Sequence, residues 1–533
     1  MKVLKSCEMS KIDSLTINET GINSLVLMEN AGRTSTEIIL SKFPDKKRFL
    51  IIAGSGNNGG DGLVVARYLK LCGKEVNVFI LAKGEEKLSE DNRANLNVLK
   101  NICGSPKFIT EENVDLLEDY LKDTDVIVDA IFGTGFKPPV KGYREEVIKL
   151  INRYKYKYNK IIVSIDIPSG LSTDTGKIDG AYIEADITIT FAYPKLAHIL
   201  FPASLKCGEV YVVDISIDRK YADDIKRELL TFKNITLPKR ERDSHKYSYG
   251  HTLIIGGSKG KTGAVIMSAK SSSTIGSGLV SVVIPSSLND IFEVSLIEEM
   301  SIPVEDRGDG TFSKDAFYQI KDIVENGKYT SIALGMGMSV SEDTRELVKL
   351  ILKNINLPIV LDADGINSLV LNEDFKDILK ARDGKTVLTP HIGEMARLTG
   401  LKTKDILDNM EDIAKNFAEE TKSVVILKGS RTVIATPEGE IFYSTRGSEG
   451  MATAGTGDVL SGIVASLIYR LGVVEGAKAG VFIHGIAGEV ATERKHRESV
   501  KATDLIEFIP DTLKLIEKEK EKVYYKFFIK LYK

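Results

Sequence analysis

At 533 residues the chain exceeds what one ordinary hydrophobic core supports, so two domains, one of them large, are expected. Hydrophobic residues at 43%, charged residues at 28%, 45 Gly and 14 Pro fit a folded α/β protein and exclude a disordered or fibrous chain. With 72 basic against 75 acidic side chains and a formal net charge of −3, no global field exists to attract nucleic acid or an anionic membrane, which leaves small molecules as the expected partners.

The N-terminal stretch MKVLKSCEMSKIDSLTINETG interrupts its apolar residues with charges every few positions and lacks the apolar core of a signal peptide. No apolar run reaches the ~18 residues that span a bilayer. Cys7, Cys72, Cys103 and Cys207 lack CxxC spacing, which argues against a zinc site or a disulfide framework. A cytoplasmic protein with reduced thiols is expected, and a homo-oligomer of unspecified size.

From Arg48 the chain reads as strand (RFLIIAG), glycine loop (SGNNGGDG), helix (LVVARYLKLCG) and a second strand (EVNVFIL), which is a βαβ unit. DVIVDAIFGTG and KIIVSIDIPSG open two further cycles, and DITITFAY and GEVYVVDI supply later strands. Such alternation predicts a parallel, doubly wound, Rossmann-like sheet with ligands at the carboxyl ends of its strands.

Three polar clusters fall at those ends. Asn57, Asn58, Gly59, Gly60 and Asp61 follow the first strand, where glycine permits close backbone approach and a helix N-terminus offers N–H groups to an anion. The order GSGNNGG is not the dinucleotide fingerprint GxGxxG. A glycine loop alone also serves any tight turn, and a strand-end carboxylate is often a helix cap. Asp129 in VDAIFGTGF, and Asp166 with Ser169 in DIPSG, nevertheless place the clusters on one sheet edge, which favours a shared pocket.

NNGGD, VDAIFGTGF and DIPSG, in this order and spacing, resemble the NAD(P)H-hydrate epimerase domain over roughly residues 1 to 220. The resemblance implies that Asn57 to Asp61, the loop Gly133, Thr134, Gly135, Phe136 and Lys137, and Asp166 hold the substrate. It also implies that Asn58, Asp129 and Ser169 help coordinate a potassium ion, for which hard oxygen ligands are suited. The implied reaction interconverts R and S forms at C6 of a hydrated nicotinamide ring, with Asp166 as candidate acid or base.

Between about Ile217 and Ser248 the strand signals give way to a charged segment, which places the seam near residues 225 to 245. The expected division is 1–225, 240–515 and a tail at 516–533. The second half opens a new strand series: HTLIIGGSKG, GLVSVVIP, SIALGMG, PIVLDADG, KTVLTPH, SVVILKG and RTVIATP. The closing LIEKEKEKVYYKFFIKLYK reads as a terminal helix or frayed tail and receives no function.

The sharpest signal in the second half is AGTGD at Ala454 to Asp458, where glycines open a helix able to bind phosphate and Asp458 could take a proton from an attacking hydroxyl. Alone it could be a simple helix start. GGSKGKTGA (256–264), GMG (335–337), DADG (362–365), TPHIGE (389–394) and KGSRT (428–432) agree with the functional reading. Together these motifs resemble the ADP-dependent NAD(P)H-hydrate dehydratase domain, which has a ribokinase-like α/β fold, over roughly residues 240 to 512.

That resemblance implies that Ala264, Gly337, His391 and Asp458 contact the hydrate, and that Lys428, Gly429, Ser430, Arg431, Thr432 and Gly457 bind the nucleotide. Ser430 stands where a second glycine is common in the family; its small side chain and backbone N–H preserve the cradle. Hydroxide is a poor leaving group, so phosphorylation of the C6 hydroxyl by ADP would precede elimination, with AMP and phosphate released. Magnesium would neutralise the transferring phosphate. The alternative is a ribokinase-like small-molecule kinase carrying a binding-only N-terminal domain, and the epimerase-like half counts against it.

Overall fold

The computed structural model describes residues 1–521 and 528–531. The chain divides between Ile225 and Lys226 into two compact units; the second also takes in Met1, and the first takes in the last described strand. Residues 226–239, expected to fall in the seam, therefore belong to the C-terminal unit. None of the described helices is long and apolar enough to cross a membrane.

In the N-terminal unit the strands are β1 (Arg48–Ala53), β2 (Glu75–Ile80), β3 (Lys107–Phe108), β4 (Val126–Ala130), β5 (Ile161–Ile165), β6 (Ile187–Phe191) and β7 (Glu209–Val213). They pair in parallel in the order β3-β2-β1-β4-β5-β6-β7. The order reverses between β1 and β4, so the loops leaving these two strands diverge and open a crevice at their carboxyl ends. Along β1, Phe49, Ile51 and Ala53 enter one apolar core while Leu50 and Ile52 enter another. This period of two, apolar on both faces, is what a sheet covered by helices on both sides requires.

The segment Asn57 to Asp61, expected as a loop, forms the first turns of the helix Asn57–Leu71. Packing is the reason. A Cβ at Gly59 would lie 2.0 Å from the Gly54 carbonyl oxygen, and one at Gly60 would lie 2.6 Å from the Met28 sulfur. These glycines let the helix settle onto the β1 loop and its neighbouring helix, which outweighs their weak helix propensity of about 1 kcal/mol each.

The C-terminal unit adds β8 (Arg227–Leu229), β9 (His251–Ile255), β10 (Leu279–Pro285), β11 (Met300–Val304), β12 (Ser331–Leu334), β13 (Ile359–Leu361), β14 (Thr386–Leu388), β15 (Val424–Leu427), β16 (Thr432–Ala435) and β17 (Ile441–Ser444). Their order is β11-β10-β9-β12-β13-β14-β15-β16-β17-β8, parallel from β11 to β15 and antiparallel on either side of β16. The switch point lies between β9 and β12, so the glycine-rich ends of both strands flank a crevice.

The expected tail divides. The helix Ile509–Glu521 crosses the anticipated boundary at 515, and β18 (Phe528–Leu531) lies antiparallel along β7. Residues 522–527 and 532–533 of that tail lie outside the described residues.

Helix Thr456–Leu471, which begins at the AGTGD turn, packs closely on helix Thr262–Ile275. A Cβ at Gly462 would lie 2.1 Å from the Ser268 carbonyl oxygen. Ser268 Oγ and Ser271 Oγ donate to the carbonyls of Asp458 and Val459 at 2.8 and 3.0 Å, which fixes the backbone under Asp458. Gly462→Ala is expected to destabilise the C-terminal domain by about 2 kcal/mol or more through overpacking against backbone. Urea unfolding followed by a probe in each domain checks this, and an unmoved C-terminal transition contradicts the close approach.

Candidate active sites

At the N-terminal switch point the residues after β1, β4 and β5 converge. Asn58 donates from Nδ2 to the Phe132 carbonyl at 3.0 Å, while its Oδ1 is buried without a hydrogen-bond partner. Asp129 is fully buried and accepts from Ser169 Oγ at 2.6 Å, Ser169 N–H at 2.9 Å, Ser164 Oγ at 2.8 Å and Ile131 N–H at 3.3 Å. Ser169 Oγ in turn accepts from the Phe132 N–H at 2.9 Å. Asn58, Asp129 and Ser169 thus sit on one hydrogen-bonded path through Phe132. Burial raises the Asp129 carboxyl, opposed by the Ser169, Ser164 and Ile131 donors.

The loop Gly133 to Lys137 leans on this path: a Cβ at Gly133 would meet the Asn58 Cβ at 3.0 Å. Phe136 stacks on Phe132 with centroids 4.2 Å apart, and Gly135 and Lys137 are exposed. Asn57 is exposed, whereas Gly59, Gly60 and Asp61 are buried. Gly59 and Gly60 are thus packed against the loop after β1 and against Met28.

Asp166 follows β5 with φ of +65°, a left-handed conformation rare outside glycine. This turn aims its carboxylate at β6, where Oδ1 accepts from Lys195 Nζ at 2.7 Å and Thr190 Oγ1 at 3.0 Å, and Oδ2 accepts from the Thr134 N–H at 3.3 Å. Burial acts to raise Asp166, but the Lys195 ammonium prevails and holds it below the usual carboxylate range. Asp61 is driven the other way, well above that range, by burial and by the Asp166, Asp13 and Asp91 carboxylates. Asp13 is raised to about 6 by burial.

In the C-terminal unit the clusters close on one another. Asp362, nearly fully buried after β13, accepts from Lys428 Nζ at 2.8 Å on Oδ1 and from Ser461 Oγ at 2.7 Å on Oδ2. A Cβ at Gly457 would meet Lys428 Nζ at 3.3 Å, so the AGTGD turn lies beside that ammonium. Asp364 accepts from Lys261 Nζ at 3.1 Å and the Ser339 N–H at 2.9 Å, tying DADG to the loops after β9 and β12. Gly337 and Ala264 adjoin: a Cβ on the former would lie 3.1 Å from that of the latter.

Asp458 stands on the first turn of helix Thr456–Leu471, and burial, with Asp362 beside it, pushes its carboxyl up to about 7. His484 Nε2 lies 2.8 Å from the Thr456 carbonyl, and burial holds this histidine down to about 4, so it supports the turn as a neutral ring. His391 also has a structural duty. Its Nδ1 accepts from the Gly393 and Glu394 N–H groups at 2.9 and 3.3 Å, capping helix Ile392–Thr399 and leaving Nε2 as the protonated nitrogen. Gly429 and Ser430 are exposed, Thr432 opens β16, and Arg431 Nη1 donates to the Thr445 carbonyl at 2.9 Å.

Residues 252–511 match the family described as NAD(P)H-hydrate dehydratase, and residues 24–197 match that described as YjeF-related protein N-terminus. The bifunctional NAD(P)H-hydrate repair enzyme Nnr of Moorella thermoacetica is 38% identical over 98% of this chain and 98% of its own length. This chain belongs to the bifunctional NAD(P)H-hydrate repair enzymes. A second member, from Thermofilum pendens, is 34% identical over the full length of both chains. Among solved structures, an ADP/ATP-dependent NAD(P)H-hydrate dehydratase from Bacillus subtilis, co-crystallised with ATP and magnesium, aligns with 54% of this chain and 98% of its own at 24% identity and a TM-score of 0.46.

Sequence reading of this repair enzyme passed over Lys195, Asp13, Asp362 and Glu394 as individual site residues. Asp362 and Glu394 did lie inside recognised motifs, DADG and TPHIGE. Lys195 and Asp13 gave no local signal, because each reaches its site only through tertiary packing. In the dehydratase half, Lys428→Met or Asp362→Ala alone leaves a buried charge uncompensated and is expected to cost about 3 kcal/mol of domain stability. The double variant should cost less than the sum of the two in denaturant titration; additive losses would show that the groups do not act as a pair.

Proposed function

We propose that this chain restores hydrated NADH and NADPH to the working cofactors, epimerising the R and S hydrates in its N-terminal domain and dehydrating the S form in its C-terminal domain with ADP. The observation that carries the reading is the presence of both family matches in one chain, each domain carrying its carboxylate site at a topological switch point. The domain division at about residue 225 is part of the proposal, as are a cytoplasmic location, which the free cysteines suit, and assembly from identical copies.

In the epimerase site, Asn57, Asn58 and the loop Gly133 to Lys137 bind the hydrate, and Asp166 acts as proton acceptor. The buried, unpartnered Asn58 Oδ1, on a residue linked through the Phe132 backbone to Ser169 and Asp129, suits a hard monovalent cation. Potassium held there by Asn58, Asp129 and Ser169 would offset the buried Asp129 charge and brace the loop against the helix.

In the dehydratase site, Asp458 takes the proton from the C6 hydroxyl, whose oxygen bonds to the terminal phosphorus of ADP as the bond to AMP breaks. The phosphate ester then leaves C6 as the ring nitrogen lone pair advances, and loss of a C5 proton restores the double bond. Lys428, Gly457 and the Gly429 to Thr432 turn receive the nucleotide, while Ala264, Gly337 and His391 position the hydrate. Among the described residues no cluster of three or more His, Cys, Asp or Glu forms a metal cage, which fits magnesium arriving on the nucleotide phosphates.

The test incubates the chain with mixed R and S NADPH hydrate, magnesium, potassium and ADP or ATP. Complete conversion with ADP supports both activities, arrest at the S fraction removes the epimerase, and a stable phosphorylated product without NADPH indicates a kinase. With Asp458 raised to about 7, the base is ionised above that pH, so dehydration should fall as pH drops through 7. Asp458→Asn is expected to lower dehydration by about a thousandfold and leave epimerisation intact. An unchanged rate or pH profile would remove Asp458 as the base. Replacing potassium with a large organic cation should slow epimerisation in the unaltered chain and have less effect in Asn58→Ala.

A further inference from the structure

Lys195 belongs to no motif above, yet it is among the largest fully buried side chains of the protein, with 1% exposure. It follows β6 in the sequence FAYPKLAH and reaches Asp166 at the end of β5. Its ammonium has three hydrogens and meets three acceptors: Asp166 Oδ1 at 2.7 Å, Thr190 Oγ1 at 2.7 Å and the Phe191 carbonyl at 3.1 Å. No hydrogen is left for a substrate, so Lys195 cannot be a substrate donor without breaking this set.

Its surroundings explain why a cation is buried there. Asp166 is faced by Asp13 from helix Ser6–Asn18 and by Asp61 from helix Asn57–Leu71, with Asp91 from helix Glu90–Cys103 acting on Asp61. His198, from the turn after Lys195, accepts the Lys195 N–H on Nδ1 at 3.0 Å and is held neutral, down to about 3, by burial and by that ammonium. Lys195 is therefore the cation that faces this carboxylate group from the described elements packed around Asp166.

We propose that Lys195 is a positioning residue of the epimerase, which holds Asp166 as the anionic proton acceptor of the site. The inference rests on the epimerase reading. The C6 hydroxyl takes a proton from solvent; the C6–O bond breaks as the ring nitrogen lone pair forms a C=N bond, and water leaves. Water then adds to the opposite face of C6, the C=N pair returns to nitrogen, and Asp166 takes the proton released. Because Lys195 favours an ionised Asp166, the proton passes on to solvent and Asp166 is reset.

Epimerisation of isolated R hydrate to S, without nucleotide and with the uncatalysed rate subtracted, is followed between about pH 5 and pH 9. Asp166 held low keeps the unaltered chain active toward the acid end. Lys195→Met and Lys195→Gln remove the charge, so Asp166 should protonate at higher pH; the acid limb should rise by roughly one to three units and the rate at neutral pH fall by about tenfold or more. KM should change little, Lys195→Arg should hold the limb near its original place, and Asp13→Asn combined with Lys195→Gln should move it part of the way back. A rate lowered equally at every pH, or an acid limb unmoved in both Met and Gln variants, overturns the proposal. Lack of epimerisation by the unaltered chain overturns the functional reading, and this inference with it, and so differs from failure in the variants alone.

Discussion

Each domain buries a carboxylate at the carboxyl edge of its sheet and neutralises it with one lysine delivered from the end of another strand of that sheet. Asp166 and Lys195 form the pair in the first domain at 2.7 Å; Asp362 and Lys428 form it in the second at 2.8 Å. Desolvating a charge costs several kcal/mol, and only a partner with good geometry and further donors offsets that. Thr190 and the Thr134 N–H complete the set around Asp166, and Ser461 does so for Asp362. The loop that supplies the Thr134 N–H, the strand end that supplies Thr190 and the helix that supplies Ser461 are held in place because the pair cannot be left incomplete.

The pairs separate carboxylates that would otherwise titrate alike. Beside the ionised Asp166 stand Asp61 and Asp13, both raised by burial. Beside the ionised Asp362 stand Asp458, raised to about 7, and Glu394, raised by burial. Neighbouring groups pushed in opposite directions give a site an acid and a base at one pH. In the second domain this leaves Asp458 poised near neutrality on a helix N-terminus, with Lys428 close to Gly457.

The glycines serve a different purpose from the one their sequence context first suggests. In GxGxxG-like turns glycine admits a ligand to the backbone, but Gly59 and Gly60 are buried against Gly54 and Met28, and Gly462 is buried against Ser268. They permit close packing of the helices that carry Asn58, Asp61 and Asp458. The geometry of the polar groups thus depends on the close packing of these glycines.

The sequence by itself determined the class of both sheets and most of their strands, and it marked the polar clusters at the strand ends, because motifs such as NNGGD, DIPSG and AGTGD are contiguous and their chemistry is local. Short or peripheral strands were not legible: β3, β8, β11, β17 and β18 are two to five residues long and depend on neighbouring strands for pairing. The NNGGD turn read as loop because propensity disfavours glycine in a helix, and only packing reversed that preference. Tertiary structure alone decided that Asp13 and Lys195 join Asp61 and Asp166, and that Lys428 faces Asp362 across 66 positions of sequence. Charge pairing acts through space, and burial sets its strength, so neither the partner nor the protonation state is written in the local sequence.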